Sequence, residues 1–169
     1  MAQPALGVDA HSGQIAGTLP DQDVDDASQV DPLLDQIPGA IEQVTADGPY
    51  DGEPTYEAIA SRDSDIAVVI PPRASSTPPL ELGTDASRRD VHLHTVAALG
   101  RLGWQEVTGF GRRALVETTM GRYKALIGTR LRARNDAGQR TEAARGAAVL
   151  NRMLAAGRPS SVRSVRGAT

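Results

Sequence analysis

The chain opens on two short β-compatible runs, Ala5 to Val8 and Gln14 to Leu19, joined by Asp9-Ala10-His11-Ser12-Gly13. Apolar runs around a turn-rich connector predict a hairpin with a short first strand. After an acidic stretch from Asp21 to Asp31, Val30, Leu33, Leu34 and Ile37 recur at i, i+3, i+4 and i+7. That spacing is one face of a helix, capped by Asp25 or Asp26, kinked or restarted by Pro32 and ended by Pro38-Gly39. Ile41 to Ala46 is a strand pattern running into Asp47-Gly48-Pro49-Tyr50-Asp51, and Pro54 to Arg62 reads as a helix with proline in its first turn. Asp65 to Ile70, D-I-A-V-V-I, is the clearest buried strand, and Pro71-Pro72 stops it.

Positions 71–86 form an exposed loop, whose Pro/Ser/Thr-rich body from Arg73 to Ala86 carries no period. Ser87 then caps a helix to about Arg101, Gly103 to Gly111 loops onward, and another helix runs from Phe110 until Gly128 ends it. Thr129 to Arg134 alternates β-branched or apolar residues with arginine, and Asn135-Asp136-Ala137-Gly138 turns the chain. Gln139 to Ala156 is helical, with Ala143, Ala147, Leu150 and Leu154 close to one stripe. Hairpin, helix, strand, helix, strand and three helices make an α/β or α+β layered domain. One domain is expected over 1–157, followed by a short basic tail over 158–169.

Aromatic residues make up 3% of the chain against 40% hydrophobic overall, so the core must be aliphatic. The absence of cysteine excludes disulfides and thiolate metal sites and suits the cytoplasm. With no apolar run of eighteen residues and no basic, apolar leader, neither a membrane span nor export is expected. Charge divides the chain. Residues 1–100 hold 4 cationic side chains against 17 acids, whereas 101–169 hold 14 against 4, all but one of the 14 being arginine. Forked guanidinium groups suit phosphate contacts, which makes nucleic acid a candidate partner of the C-terminal part, although GC-rich coding enriches arginine too.

On a helix turning 100° per residue, Arg113, Glu117, Met120 and Lys124 share one narrow arc. The opposite arc, Leu115, Val116, Thr119, Tyr123, Leu126 and Ile127, is set to pack. A surface ion pair at i, i+4, worth only tenths of a kcal/mol, would account for Arg113 and Glu117 alone. Asp47 stands at the end of a strand before a Gly/Pro turn, where a carboxylate is fixed yet accessible; a plain polar turn reads the same way. His92 and His94, two apart on a helix, do not share a face and are structural.

Taken together, the strand leading to D-G-x-Y-D, the later apolar strand and the spaced F-x-x-R-x-x-x-E-x-x-x-x-x-x-K resemble bacterial insertion-sequence transposases of the DDE type. Phe110, Arg113, Glu117 and Lys124 keep the spacing of that family's signature around its last acid, with Phe replacing Tyr. The segments "GVDAHSGQI", "DVDDASQVDPLLDQI", "VVIPPR" and "AAVLNRMLAAGRP" also resemble it. The resemblance implies a ribonuclease-H-like mixed sheet flanked by helices. It makes Asp47 the second catalytic Asp and Glu117 the terminal Glu, both metal ligands, with Phe110, Arg113 and Lys124 on DNA. It implies Mg²⁺, or Mn²⁺, as cofactor. Two such ions held about 3.5–4 Å apart activate water and stabilise the leaving oxygen of the scissile phosphate, and the freed 3′-OH then attacks target DNA. Terminal inverted repeats and target DNA are the implied partners, together with self-association.

The family's first catalytic Asp lies on an opening strand upstream of this hairpin, and Asp9, in a turn, is not its counterpart. The expectation is therefore a C-terminal part of the catalytic domain, incomplete because the first strand is missing and inactive by itself. A decayed gene product, a misplaced start and the downstream frame of a frameshifted element all fit. A missing upstream part would then be a partner, and an unpaired apolar strand edge would lower stability or promote aggregation. The competing reading is a non-catalytic DNA-binding or inhibitory transposase fragment.

Overall fold

The computed structural model describes residues 3–21, 26–78, 80–83 and 86–157. Over these the chain is mixed α/β, in the expected order: β1 (Gln3–Val8), β2 (Ile15–Asp21), α1 (Val30–Leu34), β3 (Gln43–Thr45), α2 (Glu53–Arg62), β4 (Ala67–Val69), α3 (Arg88–Thr108), α4 (Ala114–Leu126) and α5 (Asp136–Ala156). No helix among the described residues is long and apolar enough to cross a membrane.

The expected single mixed sheet is replaced by two two-stranded sheets. β1 pairs antiparallel with β2, and β3 pairs parallel with β4. A groove of about 660 Å³, lined by both β1 and β3, lies between the pairs, so no ladder of hydrogen bonds joins them. Each pair has its own core. Val30 and Leu34 of α1, Tyr56 and Ile59 of α2, and Ile66, Val68 and Ile70 on and beside β4 form one cluster. Ile15, Tyr123, Ala147 and Leu150 form the other, with Leu6, Val8 and Ile127 packed against it.

Side chains seal the outer edges of both pairs. On β2, the Asn151 amide accepts from the Ile15 N–H at 2.9 Å and donates to its carbonyl at 2.9 Å, and Gln36 accepts from the Thr18 N–H at 3.0 Å. Beyond β4, His92 Nε2 bonds the Val68 carbonyl at 2.6 Å, and Arg88 donates to the carbonyls of Ile66 and Ser64. Trp104 Nε1 donates to His92 Nδ1 at 3.1 Å, so the second ring nitrogen accepts and Nε2 must carry the proton. Both outer edges are thereby closed to further pairing.

Several boundaries move. α1 ends at Leu34, so Ile37 packs from the following turn; of the two expected caps, Asp26 lies in the 3₁₀ turn Asp26–Gln29 ahead of α1, whose N-cap position is Gln29, and Asp25 lies outside the described residues. α3 does not stop near Arg101 but continues to Thr108, replacing the expected loop from Gly103. Gly100, at φ 71°, turns the helix there, a conformation that costs a glycine little. Beyond the turn Trp104 is fully buried, which holds the second segment in place. A reciprocal Ser87–Asp90 capping box starts α3, and Gly109 at φ 68° ends it. α5 begins at Asp136 because Asn135 caps it, accepting from the Gly138 N–H at 2.7 Å. No regular element occurs among the described residues of 71–86, as expected, while the tail 158–169 lies outside them.

Candidate active site

Asp47 follows β3 directly, in extended backbone, and opens the Gly48–Tyr50 turn. Glu117 stands in the first turn of α4. Arg113, just before α4, joins them. Its Nε and Nη2 contact the two oxygens of Asp47, while Nη1 donates to Glu117 at 2.7 Å. The pair with Glu117 is the local i, i+4 contact the periodicity allows; the pair with Asp47 spans 66 positions and makes it a tertiary feature. The side chains of Arg113, Asp47 and Glu117 are 27%, 43% and 62% exposed, so the cluster sits at a mouth open to solvent.

The mouth belongs to the groove between the strand pairs, which Asp47, Arg113, Val116, Glu117, Met120 and Lys124 all line. Four of the five expected site residues, Asp47, Arg113, Glu117 and Lys124, thus meet on one surface. The fifth, Phe110, lies behind it, with the Arg113 guanidinium 5.9 Å from its ring centre. Phe110 also packs on Trp104 at 5.2 Å, and Trp104 meets His92 edge-on at 5.7 Å. A line of rings therefore runs from Arg113 to the hydrogen bond on β4. On α4, Thr119 and Tyr123 are buried as the periodicity predicts, but Leu126, expected on the same packing arc, is exposed.

Periodicity singles out neither Asp51 nor Arg89. Asp51 closes the D-G-x-Y-D segment with its carboxylate fully buried, accepting from Arg89 Nε at 2.8 Å, Arg89 Nη2 at 3.0 Å and the Arg73 N–H at 3.1 Å. Arg89 also donates to Ser76, so one guanidinium ties the loop after β4 to the turn after β3. Its hydrogen bonds to Asp51 hold Arg89 charged, above its ordinary range, and burial followed by the Asp51 charge pushes the Tyr56 phenol up. The repeated acid in D-G-x-Y-D was the available signal: two carboxylates four apart face opposite ways, one to solvent and one inward.

The model of the family described as the transposase DDE domain matches residues 2–152. The chain belongs to that family. No solved structure matches it. Membership makes this a DDE-type transposase domain, from a family that acts in DNA transposition and generally uses a divalent metal. In this transposase domain Asp47 and Glu117 offer hard carboxylate oxygens of the kind Mg²⁺ prefers. One cation, the Arg113 guanidinium, already bridges them, so their arrangement suits a positive charge between them. Two carboxylates are fewer than a firm site needs, and among the described residues no group of three or more His, Asp or Glu could hold a metal.

Proposed function

We propose that this domain serves DNA strand cleavage and strand transfer, with Asp47 and Glu117 as two of the metal-binding carboxylates of a ribonuclease-H-like site. The observation that carries the reading is the Arg113 bridge, which unites a strand-end Asp with a helical Glu across 66 positions. A divalent ion bound there supplies activation of water and stabilisation of the leaving oxygen. The chain's own groups do the rest. Asp47 and Glu117 orient the ion. Arg113, released from the carboxylates, turns its fork to a phosphate, a bidentate contact it is shaped for. Lys124, three turns along α4, holds the same backbone as a point charge, and the Phe110 ring lies against the Arg113 guanidinium.

The two carboxylates do not suffice alone. In this reading a third comes from outside the 169 residues, and the isolated chain neither nicks nor joins DNA. Binding of Mn²⁺, followed by its electron spin resonance signal, tests the ligand roles. Asp47→Asn and Glu117→Gln should each weaken binding about tenfold or more, a loss of roughly 1.4 kcal/mol, whereas Arg113→Ala should tighten it by removing the competing cation. Unchanged affinity in both carboxylate variants would refute the assignment. Mg²⁺-dependent nicking of a terminal-repeat duplex by the purified chain, lost in Glu117→Gln, would refute its inactivity.

A second reading, a non-catalytic DNA-binding or inhibitory fragment, is favoured by the exposed cations of the C-terminal part, among them Arg112, Arg122, Arg132, Arg134, Arg145 and Arg152. Duplex binding that falls steeply with salt yet is indifferent to Asp47→Asn would select it.

A further inference from the structure

We infer that a second groove, between α5 and the loop 127–135 that precedes it, receives the tip of the 71–86 loop, Leu80-Glu81-Leu82, from a second copy of this chain. α5 carries two stripes. Ala143, Ala147 and Leu150 are buried against the hairpin half, whereas Arg145, Val149, Arg152 and Met153 fall at i, i+4, i+7 and i+8 on the opposite arc. Val149 and Met153 are 48% and 49% exposed, an apolar pair on the side of the helix that faces away from the core. A groove of about 680 Å³ opens there, lined by Ile127, Ala133, Ala137, Arg145 and Val149 among others. Glu142 builds one wall. Its carboxylate accepts from the N–H groups of Arg132 at 2.8 Å and Ala133 at 2.9 Å, which fixes the loop against α5 and spends the acid of the groove on backbone. The rim that remains is positive. Arg145 lines the groove, Arg132 and Arg134 flank Ala133, and among the described residues these three exposed guanidinium groups have no ion pair.

An occupant with apolar side chains and an acid fits such a groove, and the chain itself makes one. Leu80 is fully exposed and Leu82 is 45% exposed, with the exposed Glu81 between them. Residues 74–87 hold two acids, Glu81 and Asp85, and no cation. The base of this loop is anchored. Arg89 donates to Ser76 at 2.8 Å, the Ala86 N–H donates to the Gly83 carbonyl at 3.2 Å, and Ser87 enters the capping box of α3. Leucines on an anchored loop lose less freedom on docking than leucines on a free one. Two residues apart on an extended segment, they point to one side and Glu81 to the other, so both can enter the groove while the carboxylate stays at the arginine rim. The tip does not fill the groove of its own chain, because Leu80, Val149 and Met153 are all exposed in the same molecule. A second copy supplies the right sign of charge: the tip belongs to the part with 17 acids against 4 cations, and the groove to the part with 14 cations against 4 acids. Three residues in one groove bury less than the roughly 1,200 Å² at which stable interfaces begin, so the arrangement expected is a reciprocal exchange about a two-fold axis, which doubles the contact.

Sedimentation velocity of the full chain at concentrations up to about 200 µM, without metal or DNA, tests the contact. The chain should dimerise. Leu80→Ser combined with Leu82→Ser should weaken dimerisation about tenfold or more, and Arg145→Glu should do the same from the groove side. All three side chains are exposed, so thermal midpoints should stay within about 2 °C of the parent. Because the chain has no cysteine, thiols placed in different copies report proximity. Mild oxidation of Glu81→Cys chains mixed with Arg145→Cys chains should give several times more linked heterodimer than Glu81→Cys mixed with Glu57→Cys, whose thiol lies on the exposed side of α2. Equal linkage in the two mixtures would overturn the proposal. So would a dimer indifferent to both the loop and the groove variants, which would use another surface. A chain that binds a free peptide of residues 76–85 yet stays monomeric would assign the groove to a segment of some other protein and refute the second copy. A monomer in which Arg145→Cys links instead to Ser164→Cys of the same chain would put the tail there and refute it too. None of these outcomes bears on the metal or DNA roles proposed above, so the two readings fail separately.

Discussion

The half of the molecule built on β3 and β4 and the half built on the β1–β2 hairpin reach stability by different routes. The β3–β4 half packs seven large side chains from α1, α2 and on and beside β4 and adds an ion pair on a buried carboxylate, Asp51–Arg89, and a ring hydrogen bond, Trp104–His92. The hairpin half has four buried members, two of them contributed by α5, and relies on close approach: Gly146 lets α5 lie against Tyr123. Removing a buried carboxylate strands the groups that hydrogen-bond to it, and a small close-packed interface tolerates an added atom poorly. The two halves should therefore fail under opposite kinds of substitution.

The largest expected effect is in the β3–β4 half. Asp51→Ala removes the acceptor of three hydrogen bonds and leaves Arg89 short of its partner, at a cost of about 2 kcal/mol by urea unfolding. Amide protection should fall first at β3 and β4. Equal loss in the hairpin would erase the distinction between halves.

Next comes Gly146→Ala. Alanine is the better helix former by about 1 kcal/mol, but its Cβ would lie 2.5 Å from the Tyr123 hydroxyl oxygen and 2.9 Å from Ile127 Cγ2. Overpacking costs about 1–3 kcal/mol, so a net loss of roughly 1 kcal/mol is expected, confined to the hairpin half. Adding Tyr123→Phe should recover part of it, and a double variant no better than Gly146→Ala would place the strain elsewhere.

The smallest effect is at the hairpin turn. Asp9 accepts from the Ser12 hydroxyl and, at 2.8 Å, from the His11 N–H, and these bonds hold its carboxyl below the ordinary value of 3.8. A lowered folded value means that the stabilisation is fully present above 3.8 and is lost as pH falls through the lowered value. Amide chemical shifts of His11 and Gly13 should follow that loss while those of β4 stay fixed. A shared titration would tie the turn to the other half.

What the sequence made legible was what repeats locally. Ile66 to Ile70 announces its burial by an unbroken apolar run, and the hairpin by two short runs and a turn. Arg113, Glu117 and Lys124 fall on one arc because a helix puts them there. What stayed illegible depends on distant partners. Asn151 seals β2 from 136 positions away, and no local pattern distinguishes it from any polar helical residue. Helix α3 outlasts its expected end because Trp104 finds His92, which only folding arranges. Asp51 looks like a second turn carboxylate until Arg89 is seen beside it. The separation of the strands into two pairs is a matter of which edges meet, and strand patterns carry no such label.

One consequence of the Arg113 bridge concerns approach and not chemistry. The formal charges of Asp47 and Glu117 are cancelled at the groove mouth by Arg113 and Lys124. A polyanion arriving there meets a locally neutral doorway and not the repulsion that two bare carboxylates would raise. Arg113 thus acts as a resident counterion, leaving the exposed arginines farther along the chain to set long-range attraction and its dependence on salt.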